Sequence, residues 1–204
     1  MSDSVNNYMP RKRLDATGRK IIEAVVALLA DQGYAATTIG AVSVQLKISK
    51  GVVHYHFPSK EILLQETVAY IYQQARDYMQ RQVWRTDDAW RRIETFIVLS
   101  CHYYAEHGQL IRALQEIRAN FRPMHARSLV LTFLEKELTD LQGVVMTGQA
   151  NDMFYSFDPH IGALTLRMAL NGAAGKIIEA DNPQAESIRY ATELSEMFRR
   201  AWCK

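Results

Sequence analysis

Basic, aromatic and small side chains crowd into the segment ISKGVVHYHFPSKE, residues 48–61. Its imidazoles could bind a metal ion, its lysines and glycine could hold a phosphate group, and the same mixture could contact DNA bases. A spacing of two residues points His54 and His56 away from each other on a helix, and neither a cysteine pair nor an HExxH pattern accompanies them. We therefore expect no metal site, and the neighbouring elements decide between the other two interpretations.

The elements on both sides of this segment are predicted to be helices. A first helix, with apolar residues at helical spacing, ends at Gly33, and Thr37 and Thr38 are capping candidates for a second helix. Ser49 caps a third, short helix, which ends before Pro58 because proline disfavours a helical conformation at the preceding residue. Residues 37–57 are therefore predicted to form two short helices joined by a tight connection, which is the arrangement of a helix-turn-helix.

A helix-turn-helix places the start of its second helix in the major groove, while its first helix crosses the DNA backbone. The hydroxyl, amide and lysine groups at that start suit phosphate oxygens, Gly51 lets the protein backbone approach DNA, and Lys60 reaches the DNA backbone from the next helix. The ring side chains can contact phosphates or base edges. The candidate DNA-binding residues, including a basic N-terminal arm, are Arg11, Lys12, Arg13, Thr38, Ser49, Lys50, Gly51, Val52, His54, Tyr55, His56 and Lys60.

The distribution of charge along the chain favours the same interpretation. Residues 1–60 hold eight Lys or Arg and four acidic residues, a balance of +4, whereas residues 61–204 hold sixteen and eighteen, a balance of −2. A basic N-terminal part on a mildly acidic body indicates that the first sixty residues contact a polyanion.

Residues 19–64 resemble the DNA-binding domain of TetR-family bacterial transcriptional regulators. The resemblance rests on RKIIEAVVALLADQGYAATTI, followed by ISKGVVHYHFPSKEILL. The family motifs are present here as Gly33-Tyr34, Thr37-Thr38-Ile39, Ser49-Lys50-Gly51, Phe57 and Ser59-Lys60-Glu61. The resemblance implies a DNA-binding domain of three helices and a C-terminal domain of about six helices that senses a ligand and forms a dimer.

Three positions depart from the family pattern. Lys47 stands where the turn commonly has glycine, Val52 replaces a common Thr or Ser, and His54 replaces a common tyrosine. We expect a different backbone shape at the turn, one DNA contact fewer at Val52, and a shorter, pH-dependent phosphate contact at His54.

Helical periodicity continues along almost the whole chain, without a convincing alternating strand pattern. The sequence therefore predicts an all-α fold of about nine helices. We place a flexible basic arm at residues 1–14, a TetR-type helix-turn-helix domain at residues 15–60, and an effector-binding and dimerisation domain at residues 61–204.

The apolar runs are shorter than the roughly 20 residues of a membrane span, and no secretory signal is evident. Cys101 and Cys203 are far apart and have no metal or redox spacing. We expect a soluble cytoplasmic protein with no membrane partner and no cofactor.

Aromatic and polar residues share the middle helices of the predicted C-terminal domain. Position by position the aromatic residues favour a core, but as a set they also suit an apolar cavity with a few polar groups. The family resemblance implies a small-molecule effector there. Arg118 could pair with an anionic group of the effector or with Glu94 or Glu116. The candidate ligand-binding residues are Trp90, Phe96, His102, Tyr103, Gln115, Arg118, Phe121, His125 and Phe133.

The last two predicted helices each carry an apolar stripe, with small residues that permit close approach of a second chain. One stripe alone could face its own domain, whereas two adjacent stripes resemble the four-helix dimer interface of the family. The candidate residues of a homodimer interface are Ile161, Leu164, Met168, Gly172, Ile188, Ala191 and Phe198.

These observations favour a ligand-responsive regulator that binds double-stranded DNA in a sequence-specific manner, most simply a repressor released from a palindromic operator by its effector. One alternative is a regulator of the same fold that is controlled by a partner protein. A small helical enzyme is a weaker alternative, because the sequence contains no nucleophile–base constellation and no cofactor loop.

Overall fold

The computed structural model describes residues 14–83, 86–121 and 129–204. These residues form nine helices and no strand, which confirms the predicted all-α fold. The helices are α1 Ala16–Ala36, α2 Ile39–Leu46, α3 Lys50–His56, α4 Lys60–Val83, α5 Ala89–Glu106, α6 Gly108–Asn120, α7 Leu129–Ala150, α8 Pro159–Glu179 and α9 Pro183–Trp202. None of these helices is long and apolar enough to cross a bilayer.

The chain divides into two compact units, which we call the N-terminal unit and the C-terminal unit. The N-terminal unit comprises Met1–Tyr72 with Arg112–Leu129, and the C-terminal unit comprises Gln73–Ile111 with Val130–Lys204. Helices α4 and α6 therefore each begin in one unit and end in the other. The sequence predicts a domain boundary after residue 60, at the start of α4. The assignment of DNA binding to one side of this boundary and of effector binding and dimerisation to the other stays a prediction.

The N-terminal unit is built on the apolar face of α1. Ile21, Ile22, Val25 and Leu29 recur at helical spacing, and all four are buried. Full burial of an aliphatic side chain of this size contributes about 1.5–3 kcal/mol. Helix α1 packs against α2, and α2 packs against α3, so this core holds the two short helices of the predicted helix-turn-helix.

The C-terminal unit is organised around α5, which packs against both α8 and α9. The aromatic residues Phe154, Phe198 and Trp202 pack on one another here, with the Phe198 and Trp202 rings 5.0 Å apart at an edge-to-face angle. The end of the chain is also hydrogen-bonded to the segment after α7, because the Tyr155 N–H donates to the Trp202 carbonyl at 2.8 Å.

Gly148, in the last turns of α7, has no room for a side chain. A methyl group added at this position would overlap the buried Phe154 ring. We expect Gly148→Ala to lower the free energy of unfolding by about 1–3 kcal/mol, because the core must shift to accept the extra carbon.

Gly143→Ala in the same helix is the matched control, since an added methyl group there meets no atom within 4 Å. Because alanine has a higher helix propensity than glycine, Gly143→Ala should raise the free energy of unfolding by about 0.5–1 kcal/mol. Urea denaturation followed by circular dichroism measures both variants, and equal stabilities would contradict the overlap at Gly148.

Candidate DNA-binding site

Both short helices of the helix-turn-helix begin at a capping hydroxyl. Thr38 Oγ1 accepts a hydrogen bond from the Ala41 N–H at 3.0 Å at the start of α2, and Ser49 Oγ accepts one from the Val52 N–H at 3.3 Å at the start of α3. Each cap therefore satisfies a backbone donor that the helix leaves unpaired. The two hydroxyl protons are not used in these bonds, and they can be donated to a phosphate oxygen.

The turn between the two helices depends on Lys47. This residue has φ 55° and ψ 41°, which is the left-handed conformation that glycine adopts most easily. Its conformation lets the Ile48 N–H donate to the Ser43 carbonyl at 3.0 Å, which closes the end of α2. Lys47 therefore takes, at this turn, a conformation that is usually left to glycine.

The outer face of α3 is open to solvent. Val53 is fully buried and fixes this short helix on the core, whereas Lys50, Gly51 and His54 are exposed and Tyr55 is 85% exposed. A methyl group added at Gly51 would meet only Ser49 Oγ, at 3.6 Å. The glycine is not required by the protein's own packing, and it leaves space for another molecule to approach the backbone.

Helix α2 adds an apolar side chain that sequence reasoning missed. Val44 is 79% exposed, and on α3 Val52 is also exposed. Apolar side chains of this kind can contact the methyl group of thymine in the major groove.

Lys50 lies along the start of α2. Its Cε would be 3.4 Å and its Nζ 3.8 Å from a β-carbon added at Gly40, a position that is also 3.6 Å from Thr38 Oγ1. The structure therefore brings a lysine of α3 next to the capping hydroxyl of α2, as a phosphate-binding pair requires.

His56 is turned away from the exposed face of α3, and its contact with DNA stays a prediction. Its side chain is only 15% exposed, and Nδ1 lies 3.7 Å from Oδ1 of Asp15, the residue that caps α1. His54 does lie on the exposed face, where its Nδ1 is 3.3 Å from the Pro58 carbonyl oxygen. Because a carbonyl only accepts, this contact is a hydrogen bond when Nδ1 carries the proton.

Lys60 connects α4 to the end of α1. Its Nζ donates to the Tyr34 carbonyl at 3.4 Å and lies 4.3 Å from the centre of the Tyr34 ring. Burial lowers the pKa of the Lys60 ammonium from its ordinary value. A contact between Lys60 and the DNA backbone stays a prediction, but this lysine also has a structural role.

The backbone of Tyr34 is held from the other side by α6. Glu116 Oε2 accepts a hydrogen bond from the Tyr34 N–H at 3.0 Å, and the two residues are 82 positions apart in the sequence. Gly33 has φ 79°, so it makes the sharp bend that presents this N–H to the carboxylate. We call Gly33, Tyr34, Lys60 and Glu116 the Tyr34 corner.

Of the remaining predicted DNA-binding residues, Arg11, Lys12 and Arg13 lie outside the described residues. The part of the chain that the structure describes also contains no group of three or more His, Cys, Asp or Glu residues that could hold a metal ion.

Residues 21–67 match the family model described as bacterial regulatory proteins, tetR family. These residues carry the DNA-binding segment of the TetR family. This confirms the family that the sequence motifs predict, and the match covers the helix-turn-helix and the Tyr34 and Lys60 positions of the Tyr34 corner.

A curated relative of this chain is the uncharacterized HTH-type transcriptional regulator YuxN of Bacillus subtilis (strain 168). The two chains are 42% identical over 52 residues, which are 26% of this chain and only 18% of the relative. The likeness to YuxN is therefore a likeness of one short segment and does not extend to the whole protein.

Solved structures match over nearly the whole chain. A protein described as a transcriptional regulator from Saccharomonospora viridis, in complex with choline, has a TM-score of 0.78 at 19% identity and covers 92% of this chain and 98% of its own. AibR, in complex with isovaleryl coenzyme A and operator DNA, has a TM-score of 0.73 at 16% identity and covers 88% and 96%. At these identities the likeness shows a shared fold.

The structure distributes the predicted ligand-binding residues over both units. In the C-terminal unit, Trp90 and His102 line a groove, whereas Phe96 and Tyr103 are buried. Tyr103 packs against the His107 ring at 4.4 Å, so it is a core residue. Three others, Gln115, Arg118 and Phe121, belong to the N-terminal unit. His125 and the side chain of Phe133 lie outside the described residues.

A buried polar cluster in the C-terminal unit was missed at the sequence level. Arg167 is buried on α8, its Nε lies 3.2 Å from Glu137 Oε2, and its Nη1 donates to the Tyr104 hydroxyl at 3.2 Å. Burial raises the pKa of the Tyr104 hydroxyl, so it stays neutral and can accept this bond. An arginine inside the apolar run LTLRMAL was the available signal.

The predicted dimer residues divide into two groups. Ile161, Met168 and Gly172 are exposed on α8, Leu164 is half-buried there, and Ile188 is exposed on α9. Two predictions need correction, because Ala191 and Phe198 are each only 4% exposed and pack into the core of their own unit. Their stripe on α9 faces inward, so they do not form an outer surface.

The left-handed conformation of Lys47 generates a prediction about stability. A residue with a β-carbon is strained by about 1–2 kcal/mol in this conformation, whereas glycine is not. We expect Lys47→Gly to raise the free energy of unfolding by about 1 kcal/mol, after part of the gain is offset by the greater freedom of glycine in the unfolded chain.

Lys47→Ala removes the same exposed charge but keeps the β-carbon, so it should give no such gain. Chemical denaturation of the two variants beside the unchanged protein makes the measurement. Equal effects of glycine and alanine would mean that charge, and not backbone strain, determines stability at this turn.

Proposed function

We propose that this protein is a dimeric transcriptional repressor that binds a palindromic DNA operator and releases it when a small molecule binds the C-terminal unit. The exposed face of α3 in a family-matched helix-turn-helix is the observation that carries the proposal. An α-helix fits the width of the major groove, and this face offers Lys50, Gly51, His54 and Tyr55 to it.

The exposed residues suit both kinds of DNA contact, which are the phosphate contacts that position a protein and the base contacts that give sequence specificity. Lys50 lies beside the Thr38 hydroxyl, and together they can bind a phosphate oxygen and position the protein. Tyr55 and Val44 are largely exposed and Val52 is partly exposed, so they can contact base edges, including thymine methyl groups.

The dimer part of the proposal rests on the outer face of α8. Ile161 and Met168 are seven residues apart, so they lie on one side of the helix, and both are exposed apolar side chains. At Gly172, next on the same side, an added methyl group would meet no atom within 4 Å, so another helix can approach closely. A twofold dimer would place two copies of α3 about 34–36 Å apart, one turn of DNA.

The effector part of the proposal rests on the Tyr34 corner and on the comparisons. Both backbone polar groups of Tyr34 are bonded to charged side chains, one from α4 and one from α6. Because α4 and α6 each continue into the C-terminal unit, a ligand that shifts either helix changes this corner. Related folds solved with choline, or with isovaleryl coenzyme A and operator DNA, support a ligand-responsive regulator.

Selection of bound duplexes from a random DNA library tests the function directly. The enriched sequences should be inverted repeats whose half-sites are separated by one helical turn. Enrichment of no sequence would contradict the proposed operator binding.

With the selected duplex, Lys50→Ala should weaken binding and reduce the slope of log affinity against log salt by about 1, as expected for one lost phosphate contact. Lys136→Ala is the matched control, because it removes the same charge from an exposed site on α7. Fluorescence anisotropy over a salt series measures both, and an unchanged slope for Lys50→Ala would refute its phosphate contact.

Met168→Glu should break the proposed dimer. The methionine is 47% exposed, so the glutamate is harmless to the isolated chain but would be buried without a partner in the interface. Sedimentation should show monomers, and operator affinity should fall at least about tenfold.

Met146→Glu on α7 provides the comparison, since that methionine is 54% exposed and lies outside the proposed interface. It should remain dimeric and bind the operator normally. A dimeric Met168→Glu protein with full operator affinity would show that the interface lies elsewhere.

A further inference from the structure

Helix α3 contains few of the side chains that usually recognise a DNA base through paired hydrogen bonds. Arg or Lys contacts guanine in this way, Asn or Gln contacts adenine, and Asp or Glu accepts a hydrogen bond from cytosine. The sequence of α3 is KGVVHYH, so one lysine is the only member of this set. The sequence preference of α3 therefore depends on where that lysine and the remaining side chains are directed.

The lysine of α3 is directed along α2. Its Cε and Nζ would be 3.4 Å and 3.8 Å from a β-carbon added at Gly40, and that position is 3.6 Å from Thr38 Oγ1. The first helix of a helix-turn-helix crosses the DNA backbone, so a lysine held beside α2 meets phosphates. Phosphate contacts carry no direct sequence information. Lys50 therefore positions the protein and does not select a base.

The two histidines of α3 are also held by contacts within the protein. His54 Nδ1 lies 3.3 Å from the carbonyl oxygen of Pro58, which follows the helix, so this ring is turned toward the C-terminal end of α3. His56 Nδ1 lies 3.7 Å from Asp15 Oδ1 on the α1 side. Base edges are contacted by the N-terminal residues of the second helix. Neither imidazole is directed toward that end.

Val52 is the exposed side chain that remains in the first turn of α3. The residue before it is Gly51, and the residue after it, Val53, is fully buried. The Val52 N–H is already used, because it donates to Ser49 Oγ at 3.3 Å and to the Ser49 carbonyl at 3.1 Å. Val52 is 36% exposed, and what it presents to another molecule is its methyl groups.

Tyr55 extends this apolar surface. It follows Val52 by three residues, so the two side chains lie on the same side of the helix. The Tyr55 ring meets the His56 ring at an edge-to-face angle of 86°, with 5.3 Å between the ring centres, and the side chain is otherwise largely exposed. In the major groove, the apolar group that a base pair offers to such a surface is the C5-methyl group of thymine.

We propose that Val52, with Tyr55 beside it, determines the sequence preference of α3 by packing on the C5-methyl group of a pyrimidine in each half-site of the operator. The role of Val52 rests on the proposed operator binding, and it names the chemical group on the DNA that is recognised. The same methyl group is present in 5-methylcytosine, so α3 should accept a methylated cytosine in place of thymine.

Replacement of single thymines by deoxyuridine tests the contact, because it removes only the methyl group. The duplex enriched from the random library should contain a thymine at a fixed position of each half-site. Deoxyuridine at that position of one half-site should weaken binding about fourfold, as expected for one buried group of this size. In Val52→Ala the same replacement should cost nothing, since the partner of the methyl group is absent. Fluorescence anisotropy measures the four affinities of this cycle.

Gln45→Ala is the matched control, because it shortens an exposed side chain of α2 and should keep the full loss on deoxyuridine replacement. In a second arm, cytosine is placed at the same position, and its C5-methylation should raise affinity by about the same factor.

Three results overturn the role of Val52 while operator binding stands. They are a selected half-site without thymine, equal affinities for thymine and deoxyuridine, and a deoxyuridine loss that persists in Val52→Ala. Equal affinities for cytosine and 5-methylcytosine overturn recognition of the methyl group itself. Enrichment of no sequence overturns both this role and the proposed function, so the two failures give different results.

Discussion

Helix α3 has seven residues, and a helix of that length does not form in water by itself. It exists here because Ser49 caps its first turn and because Val53 is fully buried against the rest of the N-terminal unit. With Val53 packed on the core and His56 turned toward Asp15, the other positions of α3 face solvent. The proposed DNA-binding surface therefore depends on the burial of Val53, since without it there is no ordered helix to present Lys50 and Tyr55.

At the Tyr34 corner, a bend in α1 lets two other helices, α4 and α6, form hydrogen bonds to α1. A positive φ at Gly33 turns the chain so that the Tyr34 N–H and carbonyl both become available, and Glu116 and Lys60 bind them. These bonds involve charged side chains and partly buried backbone groups, which makes them stronger than an exposed ion pair. A movement of α4 or α6 relative to α1 would stretch or break one of them.

In the C-terminal unit, one face of α5 packs into the core and another face lines a groove. Ile93, Ile97 and Tyr103 are buried in the core, while Glu94 and His102 line the groove against α9. Such a helix has polar residues between its buried residues. A core helix whose other side faces solvent shows the same sequence pattern, so the sequence does not distinguish the two cases. The same ambiguity applies to Arg167, whose partners on α5 and α7 become visible only when the helices are packed.

The amino-acid sequence by itself determined the all-α fold, the cap at Ser49 and the family resemblance, because capping, helical periodicity and motif spacing act within a few residues of each other. Only the tertiary structure decided which side chains remain exposed. It turned His56 toward Asp15 while Tyr55 stayed in solvent, and it placed Phe198 in the core while Met168 stayed outside. It also brought Glu116 to Tyr34 across 82 residues. Such outcomes depend on how distant helices pack, and local spacing contains no information about that packing.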